Sequence, residues 1–415
     1  MKINMNWILF SLFNFFVAAL MGLVLRGAFI WEFSWLDYRN LLHGHSHVAM
    51  LGWVYLALYA LICYRFIPIE KRRMPTYARL FWFTQLTVVG MMVSFPIQGY
   101  GAVSIFFSAL HILASYRFLY LVWKHHVARH PSSSLMLKTA LVFMAVSTIG
   151  VWSLGPLAVT GGRNSILYQL AIQFYLHFQF HGWFGFAVLA LLLDMLARDF
   201  RINTTLFKTF YPLLSASVLL TYGLVLKWGI GGSVPLVMNG LGLLLQLAAM
   251  LLFLKFINEA GRSFLQTSSP SVSLFYRFGL VSWIAKVSIQ AVVLIPAAAA
   301  VSLVLRPLMI GFIHLILLGF VSGLLLALIF SLIKDASANI WLHWGSRAFV
   351  LGFLLTEILL FAQGLFYWLQ WGQVPFYYEL IFAVSVLLPL AVALISISVI
   401  KSSNGKLLRH ATSIQ

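Results

Sequence analysis

The sequence has almost no cysteine and few charged residues, and both shortages exclude classes of protein. One cysteine, Cys63, in 415 residues forms neither an internal disulfide nor a thiolate metal cage. Charged residues make up 9% of the chain, against about a quarter in an ordinary soluble domain. Apolar residues make up 62%, and the mean hydropathy is +0.96. These values exclude a soluble globule, a collagen, a disordered chain, a coiled coil and a disulfide framework, and they favour many membrane crossings.

Long apolar segments alternate with short charged or Gly/Pro/Asn-rich joints along the whole chain. One helical crossing of a bilayer needs about 20 apolar residues. The pattern predicts an all-α polytopic bundle of twelve transmembrane helices, forming a single domain over residues 1–415. The predicted spans are 6–26, 42–64, 80–98, 102–123, 136–158, 166–193, 206–226, 234–256, 278–301, 308–333, 347–370 and 376–400. We find no clear internal repeat, which counts against a transporter built from duplicated halves.

The basic residues indicate how the helices are oriented. Lys and Arg number 27 against 9 Asp and Glu, a net charge of +18 that in a soluble protein would suggest nucleic acid. With both termini cytoplasmic, 20 basic residues fall on the cytoplasmic side and 5 on the other. Those five are Arg26, Arg39, Arg163, Lys227 and Arg306. The asymmetry satisfies the positive-inside rule, so we interpret the charge as an orientation signal and a contact with anionic lipid, and we expect no nucleic-acid partner.

Most of the histidines lie inside predicted spans, and all of these belong to even-numbered helices. They are His43, His45, His47, His111, His177, His181 and His314. Even-numbered helices run inward from the outer face, and a rise of about 1.5 Å per residue places this set in the outer half of the bilayer. Ionisable residues inside spans are costly and usually face a partner or a cavity. Their common depth therefore favours ligand roles over isolated core histidines.

The spacing of these histidines predicts a metal site. Residues four apart project from one helix face, so His177 and His181 could chelate one metal together. His43 and His47 have the same spacing, whereas His45 points to the other side of its helix. Imidazole suits iron, copper and zinc, and no Asp or Glu lies at this level. The candidate metal ligands are His43, His47, His111, His177 and His181.

A haem is the second candidate cofactor. It needs one or two axial histidines, an apolar slot and cations for its propionates. His45 or His47, with His314 at matching depth, are the candidate axial ligands. Arg39, Arg163 and Arg306 at the outer ends of helices two, six and ten are candidate propionate partners. Gly52 and Gly182, each followed by tryptophan, either let a flat ring approach the backbone or serve ordinary helix packing.

Two of the charged residues inside predicted spans, Lys286 and Glu357, are candidates for a functional role. Lys286 lies about nine residues into the ninth span, roughly 13 Å from its cytoplasmic start. We expect it to snorkel or make a local polar contact, with proton delivery to the site as the alternative. Glu357 lies mid-membrane in the eleventh span, where a hydrogen-bonded structural role and a functional role are equally open.

Motifs on the second, sixth and tenth helices resemble a known family. The segment His43-Gly-His-Ser-His-Val-Ala-Met-Leu-Gly-Trp53 resembles the second helix of haem-copper oxidase catalytic subunits, a superfamily that includes the nitric oxide reductases. It is closer still to the His-x-His-x-x-x-x-Gly-aromatic pattern of NnrS-type haem and copper membrane proteins linked to nitric oxide stress, with His45 and His47 as the matching pair. The segment from His314 to Phe320 is similar to the NnrS-type His-Leu-x-x-x-Gly element.

The sixth helix departs from the oxidase pattern in part. His177-x-x-x-His181-Gly resembles the His-x-x-x-Glu-Gly of nitric oxide reductases, with His177 at the non-haem metal ligand position. The seventh span, 206–226, lacks the superfamily's adjacent His-His pair, and the tenth helix has one histidine where oxidases have two. The resemblance therefore implies a reduced or rearranged haem and metal site.

These observations lead to one leading hypothesis and two rivals. The leading hypothesis is a haem protein of a bacterial cytoplasmic membrane, with copper or non-haem iron as an additional metal, that handles or responds to nitric oxide or oxygen; oxidoreductase activity stays open. Electrons would come from a partner subunit or from quinol, because one cysteine cannot attach a c-type haem. The first rival is a histidine-lined transition-metal transporter or delivery protein without haem. The second is an assembly or structural subunit without turnover.

Overall fold

The chain is an all-α polytopic membrane protein, as the sequence predicts. The computed structural model describes residues 4–128, 130–197, 203–302, 304–333 and 339–411, with side chains up to residue 402, and this part contains no β-strand. Within these described ranges, twelve helices are long and apolar enough to cross a membrane. They are α1 (Met5–Gly27), α2 (Tyr38–Phe66), α3 (Pro75–Gln98), α4 (Ala102–His125), α5 (Pro131–Thr160), α6 (Ile166–Leu196), α7 (Thr204–Ile230), α8 (Val234–Thr267), α9 (Pro270–Val292), α10 (Arg306–Phe330), α11 (Ile340–Trp368) and α12 (Tyr377–Ser402).

The predicted orientation, with both termini cytoplasmic, stays a prediction. Seven of the basic residues behind it carry no described side chain: Lys2, Arg129, Arg198, Arg201 and Lys334 lie outside the described residues, and Lys406 and Arg409 lie where the backbone alone is described.

The largest boundary error concerns α8 and α9. Helix α8 continues to Thr267, beyond the predicted end at 256, because its charged last turns contain no proline. The break comes at Ser268-Ser269-Pro270, and α9 starts at Pro270, ahead of the predicted 278. Proline is tolerated in a first helical turn, where its missing N–H costs nothing. Helix α9 then ends at Val292, and a separate short helix, Pro296–Ser302, fills the rest of the predicted span.

Three helices differ from the other nine in burial. Most residues of α2, α6 and α10 are buried, 83%, 89% and 78% of their apolar windows, whereas the others range from 28% to 50%. A helix that is apolar on all sides is suited to such an interior position. These three helices carry six of the seven candidate histidines, so the predicted ligands belong to the most enclosed part of the chain.

Local sequence defines where α2, α6 and α10 begin. Asp37 caps α2, where its carboxylate accepts a 2.8 Å hydrogen bond from the Asn40 backbone N–H. Ser165 caps α6 in the same way through the Tyr168 N–H at 3.3 Å. Helix α10 has Pro307 in its first turn, where no intrahelical N–H donor is needed. These starts set the register of the histidines that follow.

The contacts group the chain into two compact units. The first comprises 1–127, 268–279 and 317–415, and the second comprises 128–267 and 280–316. In the first unit, Trp53 of α2 stacks on Phe15 of α1 at 4.5 Å and donates to the Ser322 hydroxyl at 2.7 Å. In the second, Phe210, Phe253 and Trp283 form a buried aromatic cluster on α7, α8 and α9. The single-domain organisation stays a prediction.

Candidate functional site

One local pattern occurs on all three buried helices. His47, His177 and His314 are each followed immediately by a π-helical segment, Val48–Tyr55, Phe178–Phe184 and Leu315–Val321. Each segment contains a glycine five residues after the histidine and then an aromatic residue: Gly52-Trp53, Gly182-Trp183 and Gly319-Phe320. Sequence inspection missed this short internal repeat because its copies lie far apart in the chain. Single π-helical turns are frequent at functional sites.

The glycines of this pattern serve helix packing. A Cβ on Gly52 would lie 2.9 Å from Val88 Cγ1 and 3.0 Å from Asn14 Cβ, and a Cβ on Gly182 would lie 2.6 Å from Phe143 Cβ. Neighbouring helices therefore occupy the space that the missing side chains leave. The alternative, in which these glycines admit a flat ring to the backbone, is not what the structure contains.

The candidate histidines of four helices lie at similar distances from the helix starts. His47 and His111 are each nine residues after the first residue of their helices, His177 eleven and His314 eight. At about 1.5 Å per residue, these positions are roughly 12–17 Å along each helix. Measured from the start of its own helix, each histidine thus lies at a similar distance along the helix, in agreement with the predicted common depth.

In the first unit, His45 faces α1. Its Nδ1 lies 2.8 Å from the Ala18 carbonyl oxygen. A carbonyl accepts only, so Nδ1 carries the proton and Nε2 carries the lone pair. Gly22 lies against the ring, and a Cβ there would lie 3.0 Å from His45 Cε1. His45 is therefore held in the orientation typical of metal-bound histidines, whose second ring nitrogen donates to a carbonyl or carboxylate.

His47 faces α3, on the other side of α2 from His45, as the spacing predicts. Its Nδ1 donates to the His43 carbonyl oxygen at 2.8 Å, which leaves the lone pair on Nε2. The ring stacks on Phe95 with centroids 4.1 Å apart. His43 and His47 both contact Tyr100, at 4.6 and 5.9 Å between ring centroids. The structure thus brings His43 and His47 to one face of α2.

His111 of α4 completes the histidines of the first unit. Its ring donates a hydrogen bond to the Leu51 carbonyl inside the π-helical segment of α2 and interacts electrostatically with His47. Tyr55 packs against it at 4.7 Å. The imidazole is 2% exposed, and its Nε2 has no hydrogen-bond partner among the described residues. A buried nitrogen left without a partner is unusual and requires an explanation.

In the second unit, His177 and His181 lie together, as their spacing predicts. Their ring centroids are 4.9 Å apart. His177 Nε2 donates to the Val218 carbonyl oxygen of α7 at 2.7 Å, so its lone pair is on Nδ1. Tyr222 flanks His177 at 5.5 Å, and Phe312 flanks His181 at 6.4 Å. The pair offers two imidazoles in an aromatic surrounding.

Lys286 does not lie where the sequence places it. Because α9 starts at Pro270, the residue is sixteen positions along that helix, roughly 24 Å, and six positions before Val292. Its side chain is 3% exposed and interacts electrostatically with His177 and His181. Of the alternatives, snorkelling is therefore wrong, whereas a local polar contact and proton delivery stay predictions.

The other candidate residues are more dispersed. His314 is a half-buried residue of the second unit, and its pairing with His45 or His47 as an axial ligand stays a prediction. Arg39, Arg163 and Arg306 are exposed at the starts of α2, α6 and α10. Their assignment to propionates stays a prediction as well.

A partly buried charged group in the first unit was missed. Arg26, counted from sequence as an outer-loop residue, lies in the last turn of α1 and hydrogen-bonds to Tyr377. It interacts electrostatically with Glu357 of α11 and with His45. The predicted first span ends at Arg26, which could have indicated this group. Its partners lie on α11 and α12, which are remote in sequence.

No protein-family model matches the sequence, and no curated protein is significantly similar to it. The family resemblance therefore stays a prediction, and function has to be inferred from the side chains.

The candidate metal ligands form two separate groups. Within the described residues, no group of three or more His, Cys, Asp or Glu side chains is arranged to hold a metal ion. Protein zinc sites take three or four protein ligands, whereas a porphyrin brings four nitrogens of its own and needs one or two axial imidazoles. The five predicted metal ligands occur as His43 and His47 with His111 nearby, and as the pair His177 and His181.

Proposed function

We propose that this chain is a membrane-embedded haem protein that handles, or responds to, nitric oxide or oxygen through redox chemistry. The observation that carries the proposal is the state of three imidazoles in the first unit. His45, His47 and His111 each donate a hydrogen bond to a backbone carbonyl, and His45 and His47 do so through Nδ1. The remaining nitrogen is then available to a metal, as in haem and other histidine-ligated centres.

Either His45 or His47, which lie on opposite sides of α2, would hold the haem iron. A bound haem would supply one-electron chemistry and a coordination position for a diatomic gas. The chain itself orients the imidazoles: Ala18 and His43 accept the Nδ1 protons, and Phe95 covers the His47 ring. The surrounding helices exclude water, since α2 is among the most buried of the described spans.

The unpaired Nε2 of His111 supports a second ligand position close to His47. Burying an imidazole nitrogen without a hydrogen bond destabilises a fold unless a ligand compensates. Copper or non-haem iron is the metal that the family resemblance implies there. Electrons would come from a partner subunit or quinol, and the bilayer would be a bacterial cytoplasmic membrane.

The test is an optical spectrum combined with metal analysis of the detergent-purified protein. A Soret band with stoichiometric iron is the expected result, and nitric oxide or carbon monoxide should shift the band of the reduced protein. A colourless preparation that retains stoichiometric zinc or copper would overturn the proposal in favour of a metal transporter. A colourless preparation without metal would overturn the proposal in favour of the second rival, an assembly or structural subunit without turnover.

Activity needs a separate measurement, because a haem spectrum does not report turnover. Consumption of nitric oxide or oxygen with a quinol donor should be followed electrochemically. Consumption that depends on His45 or His47 would identify an oxidoreductase, whereas an intact spectrum without consumption would favour a sensor or assembly role.

A further inference from the structure

Two basic side chains of the first unit lie on exposed tryptophans near the start of α11. The Lys401 ammonium, near the end of α12, lies 4.8 Å from the ring centroid of Trp341. The Arg347 guanidinium carbon lies 6.0 Å from the ring centroid of Trp344. Trp341 and Trp344 are three residues apart, so they are neighbours on the surface of α11. These four residues, contributed by two helices, form the cation–tryptophan cluster.

The two cations of the cluster have no acidic partner in the described part of the chain. Arg347 and Lys401 are exposed, and neither forms an ion pair with a described residue. The acidic residue of α11, Glu357, lies ten positions after Arg347, roughly 15 Å along the helix. The acidic residue of α12, Glu379, lies at the opposite end of its helix from Lys401. Two positive charges are thus available at this surface for an external anion.

An exposed apolar stripe continues from the cluster along α11. Trp344, Leu351 and Ile358 are spaced seven residues apart, so they share one face of the helix. They are 57%, 52% and 62% exposed, although α11 is long and apolar enough to cross a membrane. Ile397, one turn before Lys401 on α12, is exposed as well. The cluster therefore lies at the end of a surface that suits acyl chains.

The combination of cations, tryptophans and an apolar stripe fits a phospholipid better than a small anion. Tryptophan is enriched where the hydrocarbon core of a bilayer meets the headgroups. Basic pockets between transmembrane helices near the cytoplasmic surface bind anionic lipid headgroups. The predicted orientation places Arg347 and Lys401 on that side. A free phosphate would use the two cations but would gain nothing from the stripe.

We propose that the cation–tryptophan cluster binds one anionic phospholipid, whose phosphate contacts Arg347 and Lys401 and whose acyl chains lie along the α11 stripe. The ring faces of Trp341 and Trp344 attract the two cations and order them before the lipid binds. The general contact with anionic lipid that the net charge predicts thus becomes one defined position on α11 and α12. The site is independent of the haem proposal, because it uses none of the candidate ligands.

Native mass spectrometry of the delipidated, detergent-purified protein tests the site by titration with phosphatidylglycerol and, separately, with phosphatidylcholine. The wild type should bind one phosphatidylglycerol per chain at concentrations where phosphatidylcholine does not bind. Arg347→Gln combined with Lys401→Met should weaken this binding more than about tenfold, since each basic residue near an anionic headgroup contributes about fivefold. Trp341→Leu, which keeps both charges, should weaken it by about two- to fivefold.

The matched control is Lys71→Met combined with Arg73→Gln. It removes two exposed basic residues of the same unit, from the joint between α2 and α3, and should leave the binding unchanged. Equal loss of binding in the two double variants would overturn the proposal, as would equal binding of the two lipids by the wild type. Thermal unfolding verifies that each variant folds, and unchanged melting is expected because all four substituted basic residues are exposed.

Inorganic phosphate distinguishes the whole lipid from its headgroup. An excess of phosphate should not displace phosphatidylglycerol, because the acyl chains supply part of the binding. Displacement would reduce the cluster to a simple anion site and overturn the proposal. A wild-type dimer that dissociates in the Arg347→Gln, Lys401→Met variant would also overturn it, by assigning this face to a second copy of the chain.

Discussion

The π-helical segments after His47 and His177 share a sequence pattern, yet they present different ring nitrogens. His47 donates from Nδ1 to the carbonyl of His43 in its own helix, whereas His177 donates from Nε2 to Val218 of a neighbouring helix. The lone pair is therefore on Nε2 in the first unit and on Nδ1 in the second. The motif positions a histidine in a buried helix, and the nearest carbonyl decides which atom can bind a ligand.

The charged neighbours differ as well. In the second unit a buried lysine interacts electrostatically with both histidines, whereas in the first the His47 ring is next to Phe95, Tyr100 and His111. Two copies of one local motif therefore have different chemical surroundings in the two units. The following predictions can contradict or refine that contrast.

The largest expected effect is loss of the haem from the first unit alone. His45→Ala and His47→Ala should each abolish or reshape the Soret band, since either change removes a candidate axial ligand. His181→Ala should leave the band unchanged because the second unit does not hold the iron. His343→Ala, on α11, is the control for histidine removal. Equal spectral damage from His181→Ala would erase the contrast between the units.

A smaller effect is expected when the His45 ring is displaced without being removed. Gly22→Val places its Cβ 3.0 Å from His45 Cε1 and should move the imidazole off the Ala18 carbonyl. Disturbing such a supporting contact typically costs about 10–100-fold in metal affinity. The fraction of haem retained during dialysis against apomyoglobin measures this loss of affinity. Gly155→Val is the control, because nothing lies within 4 Å of its Cβ position.

Replacing the glycine of either π-helical segment by alanine should lower the stability of the protein. Gly182→Ala should destabilise the protein by about 1–3 kcal/mol through overpacking against Phe143. Gly52→Ala should cost less, because its nearest neighbour, Val88 Cγ1, would lie 2.9 Å from the added Cβ rather than 2.6 Å. Thermal unfolding in detergent gives the order, with Gly155→Ala as reference. Unchanged stability together with an altered haem spectrum would restore the interpretation that these glycines admit a flat ring.

The smallest effect is expected at Trp53. Trp53→Phe keeps an aromatic ring against Phe15 but removes the 2.7 Å hydrogen bond to Ser322. Ser322 keeps its bond to the Leu317 carbonyl, so no hydroxyl is orphaned. The cost should be about 0.5–1.5 kcal/mol of unfolding free energy. A loss several times larger in chemical denaturation would indicate that Trp53 has a role beyond packing.

Much of the fold follows from the sequence, but the boundaries near α9 do not. The twelve spans are recovered because each needs a continuous apolar stretch, a requirement that is local in sequence. The end of α8 was misplaced because its charged last turns resemble a loop in composition. The error moved the predicted start of α9 and with it the depth of Lys286, so one boundary changed the interpretation of a site residue.

By itself, the sequence determined that the chain is a twelve-span helical membrane protein and that His43 and His47, and likewise His177 and His181, share a helix face. These properties depend on hydrophobicity and on helix periodicity, which neighbouring residues set. Only the tertiary structure decided which helices are buried, which nitrogen each imidazole offers, and that Lys286 is a neighbour of the histidine pair. Carbonyls and charges from remote segments set those properties, because hydrogen bonds and Coulomb interactions act through space.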